Sequence, residues 1–151
     1  MVSTIEDTLI HALFLARHLN NCDIKCATIA ILLDLGVSPS AEGFNYLQDA
    51  IVMYYEDPEQ TFTKMLYPRV YKHDNQKSGR YQVERCIRRA VAEAWENRDE
   101  SVWRCYFPVD EDGNIPRPSN KEFISRVACF LKLWMGFCKE ADHGKIEYTQ
   151  P

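Results

Sequence analysis

Three arginines lie within five positions of the segment ERCIRRAVAEAW, residues 84–95, although the chain carries a formal net charge of −4. An arginine presents a planar fork of N–H donors, which matches two phosphate oxygens or the O6 and N7 acceptors of guanine. These arginines either contact a polyanion or keep a helix surface hydrated, with Glu84 and Arg88 at the spacing of a weak surface pair. The spacing alone leaves both interpretations open.

A helix would position these side chains, and the surrounding pattern predicts one. The aliphatic residues share one helical face, which should pack on the core; they are Val83, Ile87, Ala90, Val91 and Ala94. The opposite face carries Tyr81, Arg85, Arg88, Arg89 and Ala92. Residues 77–98 hold six basic and three acidic side chains, a net charge of +3, so the rest of the chain carries −7. Positive charge is therefore concentrated on this segment.

A short helix and a turn are predicted ahead of the basic helix. Pro68 is tolerated best in the first turn of a helix, so we expect a break near Tyr67 and a short helix after it. The segment DNQKSG, residues 74–79, has the composition of a turn, and the basic helix should run from about Arg80 to Trp95. This order is that of a helix-turn-helix, whose second helix enters the major groove of DNA.

The other segments also favour helices. Ser3 and Glu6 have capping-box spacing at the start of an amphipathic first helix, whose apolar repeat is Ile5, Leu9, Leu13 and Ala16. Further helices are expected over residues 23–36, 41–55 and 100–106, and a long helix follows the Ser119 and Glu122 pair. Because no alternating strand pattern occurs, the predicted fold class is all-α. We expect a compact domain of six to seven helices that contains a helix-turn-helix, with an added N-terminal helix.

The composition restricts the class of protein. With 151 residues, 46% hydrophobic and 26% charged, the chain should form one globular domain, and no stretch is long and apolar enough to span a membrane. We therefore expect a cytoplasmic protein. The six cysteines are interpreted as reduced and mostly buried, because nothing in the sequence indicates secretion.

Enzymatic and metal chemistry find little support in the sequence. Cys22 and Cys26 have no matching Cys or His pair downstream, and the acidic loop around Asp110 lacks the spaced ligands of a calcium loop. His11 and His18 are interpreted as partly exposed side chains. No nucleophile motif or Gly-rich phosphate loop is present, so we expect no enzyme activity, no metal and no cofactor.

Four blocks in order carry a resemblance to a known family: LGVSPSAEGFNYLQDAI, TKMLYP, YQVERCIRRAVAEAW and NKEFISRVACFLKL, between about residues 29 and 134. They resemble the C-terminal DNA-binding effector domain of the sporulation initiation response regulator of endospore-forming bacteria, the stage zero sporulation protein A family. The resemblance implies a six-helix domain whose helix-turn-helix reads a short DNA box, usually as tandem dimers. It places base-reading and phosphate-contacting positions at Glu84, Arg85, Arg88 and Arg89, the last replacing a histidine of the best-known member.

The chain departs from that family at several points. The family's domain normally follows a phosphorylatable receiver domain, whereas only the helix of residues 3–20 stands in front here, so we expect the usual phosphorylation control to be absent. The turn of the motif is about two residues longer, and Tyr71 replaces a small alanine. Tyr81 and Gln82 replace a Ser-Arg pair and remove one phosphate contact, for which Lys77 or Arg80 could compensate.

These observations predict a sequence-specific DNA-binding transcriptional regulator. The predicted DNA-binding residues are Lys77, Arg80, Tyr81, Gln82, Glu84, Arg85, Arg88 and Arg89. The predicted organisation is an N-terminal helix (residues 1–22), the effector domain (23–140) and a flexible tail (141–151). The alternative is a protein-interaction module of the same fold that has lost operator binding and acts on a full-length regulator or RNA polymerase. The broad apolar surface of the last helix fits either core burial or a homodimer.

Overall fold

The computed structural model describes residues 4–18, 23–73 and 80–142. Within these ranges the elements are α1 (Thr4–His18), α2 (Ile24–Asp34), α3 (Glu42–Glu56), a π-helical turn (Phe62–Leu66), α4 (Tyr67–His73), α5 (Arg80–Glu96), α6 (Glu100–Trp103) and α7 (Asn120–Asp142). No strand occurs in the described ranges, and the predicted all-α class is confirmed. None of the described helices has the length and apolar character needed to cross a membrane.

Helices α3 and α7 form the centre of the fold. α7 packs against α1, α2, α3 and α5, while α3 also contacts α2, α4 and α5. Most of the apolar surface of α7 is buried in this core through Phe123, Val127, Phe130, Leu131, Trp134 and Cys138, while Phe137 is only partly buried. Core burial therefore accounts for most of a surface that the sequence left open between core packing and a homodimer.

Local capping explains where the helices begin and end. The Asp23 carboxylate accepts the Cys26 backbone N–H at 2.7 Å and starts α2, and Gly36 ends that region with a φ of 81°, which suits a residue without Cβ. At the start of α7 the Ser119 hydroxyl accepts the Glu122 N–H at 3.1 Å, which confirms the second predicted capping box. The Ser3 capping box lies outside the described residues.

A π-helical turn stands where the sequence predicted a break near Tyr67. The Tyr67 N–H donates to the carbonyl of Phe62, five residues back, so the chain widens and then continues directly as α4. Pro68 occupies the first turn of α4, where its missing N–H is best tolerated. The predicted short helix is confirmed, but no gap separates it from the preceding turn.

The buried face of α1 matches its predicted apolar repeat only in part. Ala16 of that repeat is fully buried, as is Ala12 beside it, and α1 packs on α7, whereas Leu9 of the repeat is 40% exposed. Because α1 has apolar residues on several faces, its own periodicity did not determine which face would pack.

A polar cluster of His11, Asp34 and Tyr106 ties α1 to the rest of the fold. His11 Nε2 lies 3.1 Å from Asp34 Oδ2 on α2 and 2.9 Å from the Tyr106 hydroxyl, which donates to the same carboxylate oxygen at 2.7 Å. The His11–Asp34–Tyr106 cluster joins three segments far apart in the chain. It orients α1 by turning the His11 side of the helix inward.

The irregular segment between α6 and α7 is anchored rather than loosely exposed. Ile115 is buried, and its carbonyl accepts the Trp95 indole N–H of α5 at 3.0 Å. The Asp110 carboxylate accepts the backbone N–H groups of Asp112 and Asn114 at 3.0 and 2.9 Å. These bonds order a segment whose composition indicated only a loop.

The cysteines correct one expectation. Cys26 is disulfide-bonded, so the prediction of reduced thiols is wrong at this residue. Cys86 and Cys138 form no disulfide and are buried as expected, whereas Cys129 forms no disulfide but is exposed, because it lies on the outer side of α7. Burial raises the pKa of the half-buried Cys105 thiol to about 11.

Candidate nucleic-acid interface

Helix α5 has two chemically different faces, as its sequence pattern predicted. The inward face is buried and consists of Val83, Ile87, Ala90, Val91 and Ala94. Arg85, Arg88 and Arg89 are exposed on the outward side. Because the aliphatic face is fixed against α3, α4 and α7, the arginines are held toward solvent by the packing beneath them.

The three arginines differ in their partners. Arg88 donates to the Glu84 carboxylate at 2.9 Å, with the two side chains 56% and 35% exposed. Such a surface pair contributes about 0.3–0.5 kcal/mol, so an external anion can compete for it. In the part of the chain that the structure describes, Arg85 and Arg89 have no acidic group at salt-bridge distance. Two of the three guanidinium groups are thus available to a ligand.

Gln82 lies at the edge of the basic face next to α3. Its side-chain amide donates to Cys86 Sγ at 3.5 Å, and the thiol in turn donates to Glu42 at 3.3 Å. Burial, followed by the hydrogen bond to Glu42, raises the pKa of Cys86. The Gln82 side chain is therefore already engaged in a contact within the protein, and it must give up that contact to bind a ligand, unlike Arg85.

Asn120 fixes α5 relative to α4 and α7. From the first turn of α7, its side-chain amide donates to the Glu84 carbonyl of α5 at 3.1 Å and to the Tyr67 hydroxyl of α4 at 3.4 Å. Burial raises the pKa of Tyr67, which keeps this hydroxyl protonated. This role could not be predicted from the sequence, because a residue between a capping Ser and a Glu indicates a helix start but not a long-range partner.

A cavity of about 560 Å³ lies beside the Arg88 edge of α5. Arg117, Lys121 and Arg88 line it together with the acidic Glu84 and Glu122. Arg117 and Lys121 are exposed, and among the described residues neither has an ion-pair partner. The fold thus adds two cations to the predicted set, although they lie about thirty residues away from it in the chain.

Some predicted site residues lie outside what the structure describes. Lys77 belongs to residues 74–79, and this stretch includes the turn expected to be two residues longer than in the family. Arg80 and Tyr81 are the first residues of α5, but their side chains are outside the described set. For these three residues the sequence-based assignment stays a prediction.

The outward arginines of α5, with Arg117 and Lys121 beside them, form a basic patch, which is the electrostatic feature expected of a nucleic-acid-binding domain. The chain belongs to the family described as sporulation initiation factor Spo0A C terminal, whose family model matches residues 28–131. This family consists of DNA-binding domains rather than enzymes. The match begins within α2 and ends within α7, so α1 lies outside it.

Proposed function

We propose that this chain is a sequence-specific DNA-binding transcriptional regulator in which α4 and α5 form a helix-turn-helix and α5 enters the major groove. The observation that carries the proposal is the outward position of Arg85 and Arg89 on a core-packed helix, without acidic partners among the described residues. A rigid helix with free guanidinium groups is suited to contact guanine edges.

Each side chain of the outward face has a separate role in the proposal. Arg85 and Arg89 contact base edges, and Arg88 exchanges Glu84 for a phosphate. The released Glu84 carboxylate can then accept from a cytosine amino group. Gln82 must leave Cys86 before it can reach DNA. Lys77 and Arg80 remain the predicted phosphate anchors, and Tyr81 remains a predicted DNA-binding residue.

Arg117 and Lys121 extend the proposed surface to the DNA backbone. They flank the cavity beside Arg88, at the N-terminal end of α7, where backbone N–H groups and the helix dipole also favour an anion. A phosphate contacted here would fix the orientation of α5 in the groove without adding sequence preference.

Selection of genomic DNA fragments with the purified protein tests the proposal, followed by fluorescence anisotropy on the enriched sequence. Arg85→Ala and Arg89→Ala should each weaken binding to that sequence about tenfold or more, because a bidentate base contact contributes ~1–3 kcal/mol. Lys132→Ala removes one exposed positive charge from α7 and should change the affinity less than twofold. Enrichment that survives both arginine changes would assign DNA binding to another surface.

The second candidate is a protein-interaction module that has kept the fold and lost operator binding, acting on a full-length regulator or RNA polymerase. The Arg88–Glu84 pair favours it, because that pair removes one cation from the basic face. Such a module would show no shift of the family's DNA box at moderate salt, whereas a DNA-binding protein loses affinity steeply as salt rises. The division into residues 1–22, 23–140 and 141–151 also remains a proposal, and 143–151 lie outside the described residues.

A further inference from the structure

The cavity of about 560 Å³ beside the Arg88 edge of α5 has the size of a small-molecule site. Such sites occupy roughly 300–1,000 Å³, and a single phosphate group fills only a small part of that volume. The π-helical turn, α4, α5 and the first turn of α7 surround the space, which we call the α5–α7 cavity. Its size leaves room for an organic molecule as well as a phosphate.

The end of the α5–α7 cavity at the first turn of α7 is suited to a phosphate group. Arg117 and Lys121 line it, and among the described residues neither has an acidic group at salt-bridge distance. The Ser119 hydroxyl accepts the N–H of Glu122 at 3.1 Å, which leaves the N–H groups of Asn120 and Lys121 in the same turn for a ligand. Two cations and two backbone donors therefore lie at one end of the cavity.

Tyr67 adds a buried donor to the wall of the α5–α7 cavity, where it is only 5% exposed. Its hydroxyl oxygen accepts the Asn120 amide at 3.4 Å, and the orientation of that amide is fixed because the same nitrogen donates to the Glu84 carbonyl at 3.1 Å. In the part of the chain that the structure describes, the Tyr67 O–H proton then has no acceptor. Because a buried donor without an acceptor is costly, an anionic oxygen inside the cavity would stabilise it.

The depth of Tyr67 favours a free molecule over a DNA strand. The backbone of a duplex is a broad surface that reaches the exposed Arg117 and Lys121 at the rim, whereas a small anion can also enter the space in front of a side chain that is 5% exposed. The α5–α7 cavity therefore has a ligand requirement beyond the contacts assigned to DNA.

The remaining walls of the α5–α7 cavity match the other parts of a nucleotide. The carboxylates of Glu84 and Glu122 lie on its lining, and acidic side chains accept the hydroxyl groups of ribose in nucleotide sites. Phe62 and Pro118 provide an apolar surface for a planar base. We propose that the α5–α7 cavity binds a mononucleotide, with the phosphate at Arg117 and Lys121 and the base toward Phe62.

A bound mononucleotide would also act on the DNA-binding surface. Arg88, Arg117 and Lys121 are the cations assigned to DNA phosphates, and one phosphate in the α5–α7 cavity would neutralise part of this charge. The nucleotide and the duplex therefore compete for the same side chains. This competition, unlike the binding of the nucleotide itself, rests on the proposed function.

Isothermal titration calorimetry of the full 151-residue chain without DNA tests the site with the 5′-monophosphates of adenosine, guanosine, cytidine and uridine. At least one of them should bind about tenfold or more tightly than inorganic phosphate, and than its own nucleoside, because each part of the ligand contacts a separate wall. Absence of binding by all four at millimolar concentrations would overturn the proposal. Inorganic phosphate or the nucleoside alone binding as tightly as the monophosphate would also overturn it.

Two substitutions locate the binding. Arg117→Ala and Tyr67→Phe should each weaken the tightest-binding monophosphate about tenfold, since each removes a donor to a charged oxygen. The matched controls are Lys132→Ala on α7 and Tyr71→Phe on α4, both outside the cavity lining, which should change the affinity by less than about twofold. Far-UV circular dichroism checks the folding of each variant, and an unfolded Tyr67→Phe leaves the Arg117→Ala measurement to decide. Equal losses in the test variants and their controls would contradict the assignment to this cavity.

Competition is measured by fluorescence anisotropy on the DNA sequence enriched by the chain. A saturating concentration of the tightest-binding monophosphate should lower the affinity for DNA, whereas sodium chloride at equal ionic strength should lower it less. Unchanged DNA affinity at nucleotide saturation would show that the two ligands do not compete. A chain that binds the nucleotide but enriches no DNA would instead contradict the proposed function and leave the nucleotide site standing.

Discussion

The pKa of Asp34 depends on the packing of α1 against the rest of the fold. The hydrogen bond with His11 is the largest effect on its pKa and lowers it, the Tyr106 hydroxyl adds to the lowering, and burial acts in the opposite direction. The net result is a pKa below the ordinary Asp value of 3.8. A carboxyl group with a lowered pKa in the folded state stabilises that state above its unfolded pKa. This stabilisation is lost as the pH falls through the folded value.

Asp34→Asn should therefore make the free energy of unfolding depend less on pH in the acid range. The wild-type free energy of unfolding should fall as the pH drops from about 3.8 through the lowered pKa of Asp34. The variant has no proton to take up at this position, so its free energy of unfolding should fall less steeply in the same range. Urea denaturation between neutral pH and the acid limit measures both curves. Parallel curves would show that the His11–Asp34–Tyr106 cluster contributes no pH dependence.

For individual residues, the sequence predicted the orientation of side chains better than the partners that they contact. The outward position of Arg85, Arg88 and Arg89 followed from helical periodicity, which is local. The approach of Lys121 to Arg88 and the bond from Asn120 to the Glu84 carbonyl depend on how α7 crosses α5, which no local pattern contains. The disulfide at Cys26 was missed because the expectation was derived from the presumed compartment rather than from local geometry.

Among the elements, α3 and α5 come closest at Gly43. A Cβ built on this residue would lie 2.3 Å from the Cys86 carbonyl oxygen and 2.8 Å from the Ala90 Cβ. Since the first of these atoms is backbone, no side-chain rotation can relieve the contact. The absence of a side chain at Gly43 therefore sets the distance between the two helices and the position of α5.

Gly43→Ala should lower the free energy of unfolding by about 1–3 kcal/mol, because α5 must move away from α3. Gly136→Ala is the control: its Cβ would meet no atom within 4 Å, and loss of a helical glycine should stabilise α7 by about 0.5–1 kcal/mol. Urea denaturation of both variants compares them directly. Equal effects would mean that the α3–α5 approach tolerates a methyl group.

Helix ends were easier to predict than helix faces. Asp23, Gly36 and Ser119 act through backbone groups within a few residues, so their positions in the sequence define the ends. The buried face of α1 depends on α7 and on the His11–Asp34–Tyr106 cluster, and the predicted repeat therefore included Ala16, which is buried, but also Leu9, which is 40% exposed, and omitted the buried Ala12. The π-helical turn before α4 shows the same limit, because Pro68 indicates a change of path without specifying its geometry.

For the whole molecule, the distribution of charge matters more than its sum. Residues 77–98 carry +3 in a chain of −4, and the fold brings Arg117 and Lys121 to the edge of this segment. A basic face on an acidic protein concentrates its attraction to a polyanion in one place, and repulsion elsewhere opposes nonspecific contacts. The orientation of the protein on DNA would follow from this asymmetry.

Salt dependence separates the proposed phosphate contacts from the proposed base contacts. Arg117→Ala and Lys121→Ala should each reduce the slope of log affinity against log salt concentration by about 1, and weaken selected and random DNA equally. Arg85→Ala should instead reduce the ratio between the two affinities. Anisotropy titrations at several salt concentrations give both quantities. Unchanged slopes for Arg117→Ala and Lys121→Ala would mean that these two residues do not belong to the DNA-binding surface.

In the proposed function, the outward position of Arg85 and Arg89 would separate DNA recognition from folding. Neither guanidinium contributes to the core. Among the described residues, neither forms an ion pair whose loss would destabilise α5. Under that proposal, exchanging these two side chains would create new target preferences while the scaffold remains intact. Laboratory libraries restricted to these two positions would begin from folded proteins.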